Sequence, residues 1–234
     1  MNYQLKRYVS KICSFIHRAS PARYRLVVRN YWNVIVGDIE PEMEHLDKII
    51  QGGDVAVDIG ANYGMYSLRL SRRFKHCHAF EINPTVVQDL KDYHFQNLTL
   101  HEIGLGSEAS TEILSIPLDS KGRELSGWGT VEEDAFPAGM SVIKKEAYTI
   151  SLDSLGLKGV DFIKIDVEGH ECKVLEGAAD TLRRCRPRIL VEVKDKNIEW
   201  VDQFLSELGY LKRTLADFVP GSPTSENVIY LPNH

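Results

Sequence analysis

The stretch Val55-Ala-Val-Asp-Ile-Gly-Ala-Asn-Tyr-Gly-Met-Tyr-Ser-Leu-Arg-Leu70 restricts the fold more than any other part of the chain. Val55 to Ile59 is an apolar run long enough for a strand buried on both faces and too short for a helix. Gly60-Ala-Asn-Tyr-Gly64 reads as a turn, and apolar residues at helical spacing follow it. Strand, glycine turn and helix make the first half of a βαβ unit, whose turn cradles ligands at the carboxyl end of the strand. Glycine leaves room for close backbone approach, because it has no Cβ.

The next strand, Cys77 to Glu81, ends in an acidic residue. It lies roughly 20 positions after the first strand, the spacing of a carboxylate that grips ribose hydroxyls. A dinucleotide and an S-adenosyl cofactor both fit so far. A pyrophosphate turn wants glycines where this chain has Asn62 and Met65. Asp58 would also face a diphosphate unfavourably, whereas a positively charged sulfonium suits an acidic turn. The expected cofactor is therefore S-adenosyl-L-methionine, with a NAD-dependent oxidoreductase and a non-catalytic binding module as the alternatives. Asp58, Gly60, Asn62 and Gly64 are expected along its methionine and ribose, Glu81 on the ribose hydroxyls and Ile82 against adenine. Leu98 to Ile103 reads as the third strand, and Gly104-Leu-Gly106 after it should reach the adenine end.

The second informative stretch is Val160-Asp-Phe-Ile-Lys-Ile-Asp-Val-Glu-Gly-His-Glu171. Phe162 to Val167 reads as a buried strand interrupted by Lys164. Asp166, Glu168, His170 and Glu171 gather at its carboxyl end, which in an open parallel sheet is the ligand edge. A helix dipole explains Glu171 well but explains Asp166 poorly. A helix with Val174, Leu175, Ala178 and Leu182 on one face should run to Arg186-Pro187. Ile189 to Val193 is the fifth strand, with Glu192 near its end. A helix over Asn197 to Leu208 and a closing hairpin, Tyr210 to Leu215 with Asn227 to Leu231, complete the pattern. The fold class is α/β: a mostly parallel seven-stranded sheet with helices on both faces. Thr111 to Ile116 and Ser141 to Ile150 read as an added hairpin. The long loop between them holds Ser126-Gly-Trp128-Gly and is expected to recognise the acceptor. Trp128 would either stack on a sugar face or plug the loop.

The chain is long enough for one sizeable α/β domain, expected over residues 51–234 behind a helical extension, residues 1–50. A net charge of -5 gives no case for nucleic acid, and no apolar run is long enough to span a bilayer. The scattered Cys13, Cys77, Cys172 and Cys185 read as reduced thiols in the cytoplasm. His76 and His78 read as a strand entrance rather than a metal site. Before Asp38 every charged residue is basic, and Leu5, Tyr8, Val9, Ile12, Phe15 and Ile16 recur at helical spacing. A basic amphipathic helix over Asn2 to Arg18 would lie on the inner face of an anionic membrane near a lipid-linked acceptor, or pack on the domain. Glu40 to Ile50 reads as a second helix.

Both informative stretches resemble the FkbM-type S-adenosylmethionine-dependent methyltransferases. The resemblance rests on Val57-Asp-Ile-Gly-Ala-Asn-Tyr-Gly64, Phe80-Glu-Ile-Asn-Pro84, Ser151-Leu-Asp-Ser-Leu155 and Phe162 to Glu171. Val174-Leu-Glu-Gly-Ala178 and Pro187 to Glu192 continue it, so that it covers about Val55 to Lys194. It implies a class I methyltransferase, Rossmann-like three-layer fold and methylation of a hydroxyl oxygen on a sugar, a polyketide or another small hydroxylated acceptor. Short size and a basic front helix are similar to glycan-modifying members, including those that 2-O-methylate fucose in nodulation factors. An aliphatic hydroxyl is a weak acid, so a base or a metal must help remove its proton. His170 and Asp166 are the base candidates, with Glu168 and Glu192 orienting the sugar. The competing scheme puts a divalent cation such as Mg2+ on Asp166, Glu168 or Glu192.

Overall fold

A computed structural model of the chain describes residues 12–13, 15–37, 39–132, 135–137 and 139–233. The main sheet begins with β1 (Gly53–Ile59), β2 (Phe74–Phe80) and β3 (Leu98–His101). A smaller sheet then takes β4 (Gly104–Leu105), β5 (Ser110–Pro117) and β6 (Val142–Ile150). The chain returns to the main sheet with β7 (Val160–Ile165), β8 (Arg188–Glu192), β9 (Tyr210–Arg213) and β10 (Asn227–Pro232). The seven strands lie in the order β3-β2-β1-β7-β8-β10-β9. Only β10 runs against its neighbours, so the sheet is mostly parallel as the sequence predicts. The chain works outward from β1 to β3 and then resumes on the other side of β1. That reversal leaves a crevice at the carboxyl ends of β1 and β7, where open α/β sheets bind ligands.

Strands covered on both faces need apolar residues at nearly every position. Ala56, Val57 and Ile59 of β1 and Phe162, Ile163 and Ile165 of β7 supply them. One face packs Val57, Ile163 and Val191 on Val174, Leu182, Val201 and Leu205. The other packs Ala56, Phe162 and Ile229 on Met43, Ile49, Tyr66 and Leu70. The result is three layers.

Helices depart from expectation where tertiary contacts override periodicity. The helix expected over Glu40 to Ile50 is two single turns, Pro41–Glu44 and Leu46–Ile49. After Pro84 the chain forms one short helix, Gln88–Asp92. The helix after the second motif divides into Glu171–Glu176 and Ala179–Cys185. A Cβ on Gly177 would lie 2.0 Å from the Gly106 carbonyl oxygen, so only glycine lets these backbones meet. At the break the Asp153 N–H donates to the Gly177 oxygen, and the Asp153 carboxylate accepts the N–H groups of Asp180 and Thr181.

Much of the expected Asn2 to Arg18 helix lies outside the described residues; residues 15–19 are helical. A further helix, Ala22–Val36, buries Leu26 against Ala61, Leu68 and Leu90. His76 and His78 sit inside β2 rather than at its entrance, facing Thr99 and His101 of β3. Burial and the neighbouring imidazoles hold the His78 ring down to about 4, and so neutral. All four cysteines are free.

Candidate active site

The crevice holds a cleft of about 640 Å³, part of it open to solvent. Gly60, Asn62, Glu81, Ile82, Gly104, Asp166, Glu168 and His170, each singled out in the sequence, line it. The tips of β1 and β7 touch there. The Asp166 N–H donates to the Ile59 oxygen at 3.0 Å, and a Cβ on Gly60 would lie 1.8 Å from the backbone carbonyl oxygen of Asp166. The N–H groups of Gly60 and Ala61 both donate to the Phe80 oxygen, which ties the turn to β2 as well.

Glu81 follows β2 directly and is buried. Its Oε2 accepts the Asn62 N–H at 2.7 Å and its Oε1 accepts the Asn83 N–H at 2.8 Å. Burial pushes the Glu81 carboxyl up to about 7, against the pull of those two donors. A carboxylate has about four lone-pair sites, so both oxygens keep acceptor capacity for a ligand. Asn62 sits in the left-handed region (φ 49°), which asparagine tolerates better than most side chains. Its Nδ2 donates to the Gly127 oxygen at 3.2 Å, while its Oδ1 is buried with no partner. A buried acceptor in that condition calls for a donor from outside the chain.

Two expected cofactor residues stand back from the cleft. Asp58 is turned beneath the turn, where its Oδ2 accepts the Ser67 hydroxyl at 2.5 Å, and burial pushes it up to about 6. Gly64 precedes the Met65–Leu70 helix in the left-handed region, and a Cβ there would meet Leu90 at 2.3 Å. Its glycine answers packing.

The loop between β5 and β6 closes over the cleft. Ser126, Gly127, Gly129, Thr130 and Val131 line it, whereas Trp128 is 61% exposed and plugs nothing. Asn83 Nδ2 donates to the Ser126 oxygen at 2.8 Å and the Thr130 hydroxyl to the Glu168 oxygen at 2.8 Å. Glu132, next along, places Oε1 2.7 Å from Nδ1 of His170. The far edge of that imidazole approaches Gly106, whose Cβ position would lie 3.3 Å from Nε2 and 3.4 Å from the Thr149 hydroxyl. Thr130 and Glu132 carry no signal in the sequence, because they arrive through loop folding; Asn83 lies within the Phe80–Pro84 motif and Thr149 in β6, but nothing in either pattern marks its side chain for the site.

Of the residues in the competing metal scheme, Asp166 and Glu192 come together and Glu168 stands apart from them. Glu168 turns away to Lys194 at 3.0 Å, and Glu40 takes its place: one oxygen each from Glu40, Asp166 and Glu192 lie within 4.8 Å of one another. Glu192 does not line the cleft. Burial, and then Asp166, push its carboxyl up. Lys164 is completely buried, with Nζ 3.6 Å from Asp166 Oδ2 and 5.0 Å from the Tyr66 ring centre. Burial works against its charge, but Asp166, Glu40 and Glu192 outweigh it and hold the ammonium up. Each carboxylate is already engaged: Glu40 by the Tyr66 hydroxyl and Asn227, Asp166 by Lys164, Glu192 by Lys194.

Residues 58–212 match the Methyltransferase FkbM domain. The chain belongs to the FkbM methyltransferase family. This sets aside the oxidoreductase alternative. The enzyme is 25% identical over 200 residues to methyltransferase sdnD of Sordaria araneosa, covering 70% of this chain and 76% of that protein. Among solved structures, methyltransferase FkbM from Methylobacillus flagellatus superposes with a TM-score of 0.51 at 14% identity. That match takes in 97% of this chain and 60% of the other, so this chain spans less than two thirds of that relative. The Streptococcus mutans protein SMU.1697c, solved in complex with SAH, gives a TM-score of 0.50 at 14% identity over 82% of this chain and 98% of its own. These likenesses show the class I methyltransferase fold. Among the described residues, no helix of this methyltransferase is long and apolar enough to cross a membrane.

Proposed function

We propose that this methyltransferase uses S-adenosyl-L-methionine to methylate a hydroxyl of a sugar residue in a glycan or glycolipid. The observation that carries the reading is the acidic lining of the cleft, where Asp166 and Glu168 stand beside the His170 imidazole. An acceptor with several hydroxyls offers donors to those oxygens. An apolar polyketide would leave the remaining acceptor sites of Asp166 and Glu168 without a donor, at a cost of about 1–3 kcal/mol for each group.

The residues present fit the cofactor. Glu81 keeps acceptor capacity for a ribose diol, and the orphaned Asn62 Oδ1 waits for a donor. The Ile82 side chain lies against Gly104, within 2.7 Å of a Cβ there, and forms an apolar seat for adenine. With adenine at that end, the methionine portion runs toward Gly60 and Asp166. When bound, S-adenosyl-L-methionine supplies a methyl group made electrophilic by its sulfonium.

The chain's own work is to hold the acceptor oxygen in line and take its proton. In-line positioning alone is worth about 7–11 kcal/mol in ideal cases. Asp166 is the base we favour, because it lines the cleft at the tip of β7, directly beside the Gly60 turn. Lys164 behind it fixes its direction. His170, held by Glu132, stands beside Gly106 and Thr149, toward the adenine seat, so it ranks second. The chain's part in the transfer is to accept the acceptor hydroxyl's proton at an Asp166 carboxylate oxygen.

Isotope-labelled S-adenosyl-L-methionine, incubated with the enzyme and a panel of glycans, lipid-linked sugars and polyketides, tests this by mass spectrometry. Label on a sugar oxygen is the expected result. Label confined to polyketides, or to no hydroxylated acceptor, would overturn the proposal.

A further inference from the structure

The Ala22–Val36 helix wears its apolar residues on the outside. Leu26 and Asn30 are buried against the domain, and Arg29 beside them donates to Asp89 at 2.9 Å. Tyr24, Tyr31 and Ile35, seven and then four residues apart, share the opposite face. Tyr31 is 62% exposed and Ile35 is 70% exposed, with Val34 exposed beside them. The helical residues 15–19 repeat the arrangement: His17 reaches the same Asp89 carboxylate at 2.7 Å, while Phe15, 72% exposed, and Ile16 face out. Apolar residues concentrated on an outer surface mark a site that something covers.

Charge selects the cover. Of the chain's 28 Lys and Arg, seven lie before Asp38 (Lys6, Arg7, Lys11, Arg18, Arg23, Arg25 and Arg29); of its 33 Asp and Glu, none does. A second copy docked through a two-fold axis would set this basic segment against itself. An anionic lipid surface attracts it, and repels the acidic remainder of the chain, which fixes the orientation as well. Basic residues flanking exposed aromatic and aliphatic side chains are what an interfacial helix needs.

We propose that this helix and the helical residues before it seat the protein on an anionic bilayer surface. The inward side of the same helix adjoins the strap over the cleft. Arg29 lies 4.2 Å above the Tyr63 ring centre, and the Tyr63 edge would be 3.4 Å from a Cβ on Gly127, in the strap over the cleft. A bilayer on the outer face of the helix would lie one helix diameter, roughly 10–12 Å, from that strap, within reach of a lipid-linked sugar. In that respect the inference rests on the glycolipid reading above and extends it.

Sedimentation of the full chain with extruded vesicles tests the seat. One set is phosphatidylcholine alone; the other holds about one-third phosphatidylglycerol. The expected result is partitioning about tenfold or more stronger into the anionic set, lost on raising the salt well above physiological strength. Tyr31→Ser with Ile35→Ser should weaken partitioning about tenfold, with thermal midpoint and S-adenosylhomocysteine affinity unchanged. Absence of binding to the anionic vesicles at low salt overturns the proposal. So does a stable dimer in ultracentrifugation that the double variant converts to monomer. Methyl transfer to soluble sugars is read separately, so failure of the acceptor reading leaves its own mark.

Discussion

Glu81 ties the sequence reading to the chemistry most directly. Its spacing from β1 is legible in the chain, but its hold on two backbone N–H groups and its burial are not. These set its titration, which burial pushes up to about 7. An ionised carboxylate accepts ribose hydroxyls, whereas the neutral acid surrenders one acceptor site. The cofactor thus binds the ionised form, and affinity rises as pH climbs through that value. Calorimetry with S-adenosylhomocysteine should show Kd rising about tenfold for each pH unit below about 7 and levelling above it. Glu81→Gln should weaken binding by roughly 1.5–3 kcal/mol and flatten the dependence. A wild-type Kd that stays constant from about pH 6 to about pH 8 would remove Glu81 from the cofactor site. At the same scale, Glu132 and Glu40 were illegible. One lies in an irregular loop and the other just before a single helical turn, and neither touches its partner until the chain closes.

Among elements, strands are legible in the sequence and helices less so. Continuous apolar runs identify β1, β7 and β8 because both faces are buried. Helix breaks such as the one at Gly177 depend on a distant backbone, which no local pattern reveals. The β1 turn shows the same dependence in a testable form. Gly60 and Gly122 both lie in the left-handed region, at φ 77° and 73°. Beyond Gly122 there is open space, whereas a Cβ on Gly60 would collide with the Asp166 oxygen. Gly122→Ala should therefore cost only the conformational penalty, about 1–2 kcal/mol in urea unfolding. Gly60→Ala must also part the tips of β1 and β7, so it should cost clearly more and abolish S-adenosylhomocysteine binding. Equal midpoints for the two variants would show that the close approach is unimportant.

The whole molecule brings together carboxylates from three separate segments: Glu40 ahead of β1, Asp166 beyond β7 and Glu192 at the end of β8. Sequence reading placed Asp166 and Glu192 at the ligand edge through the sheet's topology. It also offered a metal, since hard cations take oxygen ligands in this kind of number. Lys164 alters that expectation, because its buried ammonium already lies against Asp166, and Glu40 and Glu192 help to hold its charge. A divalent ion would have to enter beside that charge and displace Tyr66, Asn227 and Lys194 from the carboxylates. Turnover should therefore be unchanged by EDTA, and Mg2+ should leave the thermal midpoint where it is. Lys164→Met removes the resident cation and leaves buried carboxylates uncompensated, a loss of about 3–5 kcal/mol. In that variant Mg2+ should restore part of the midpoint, since the three oxygens keep their mutual approach without the neighbouring ammonium. Wild-type activity that falls with EDTA and returns with Mg2+ would mean that the lysine does not fill the cation's place, and the competing metal scheme would hold instead.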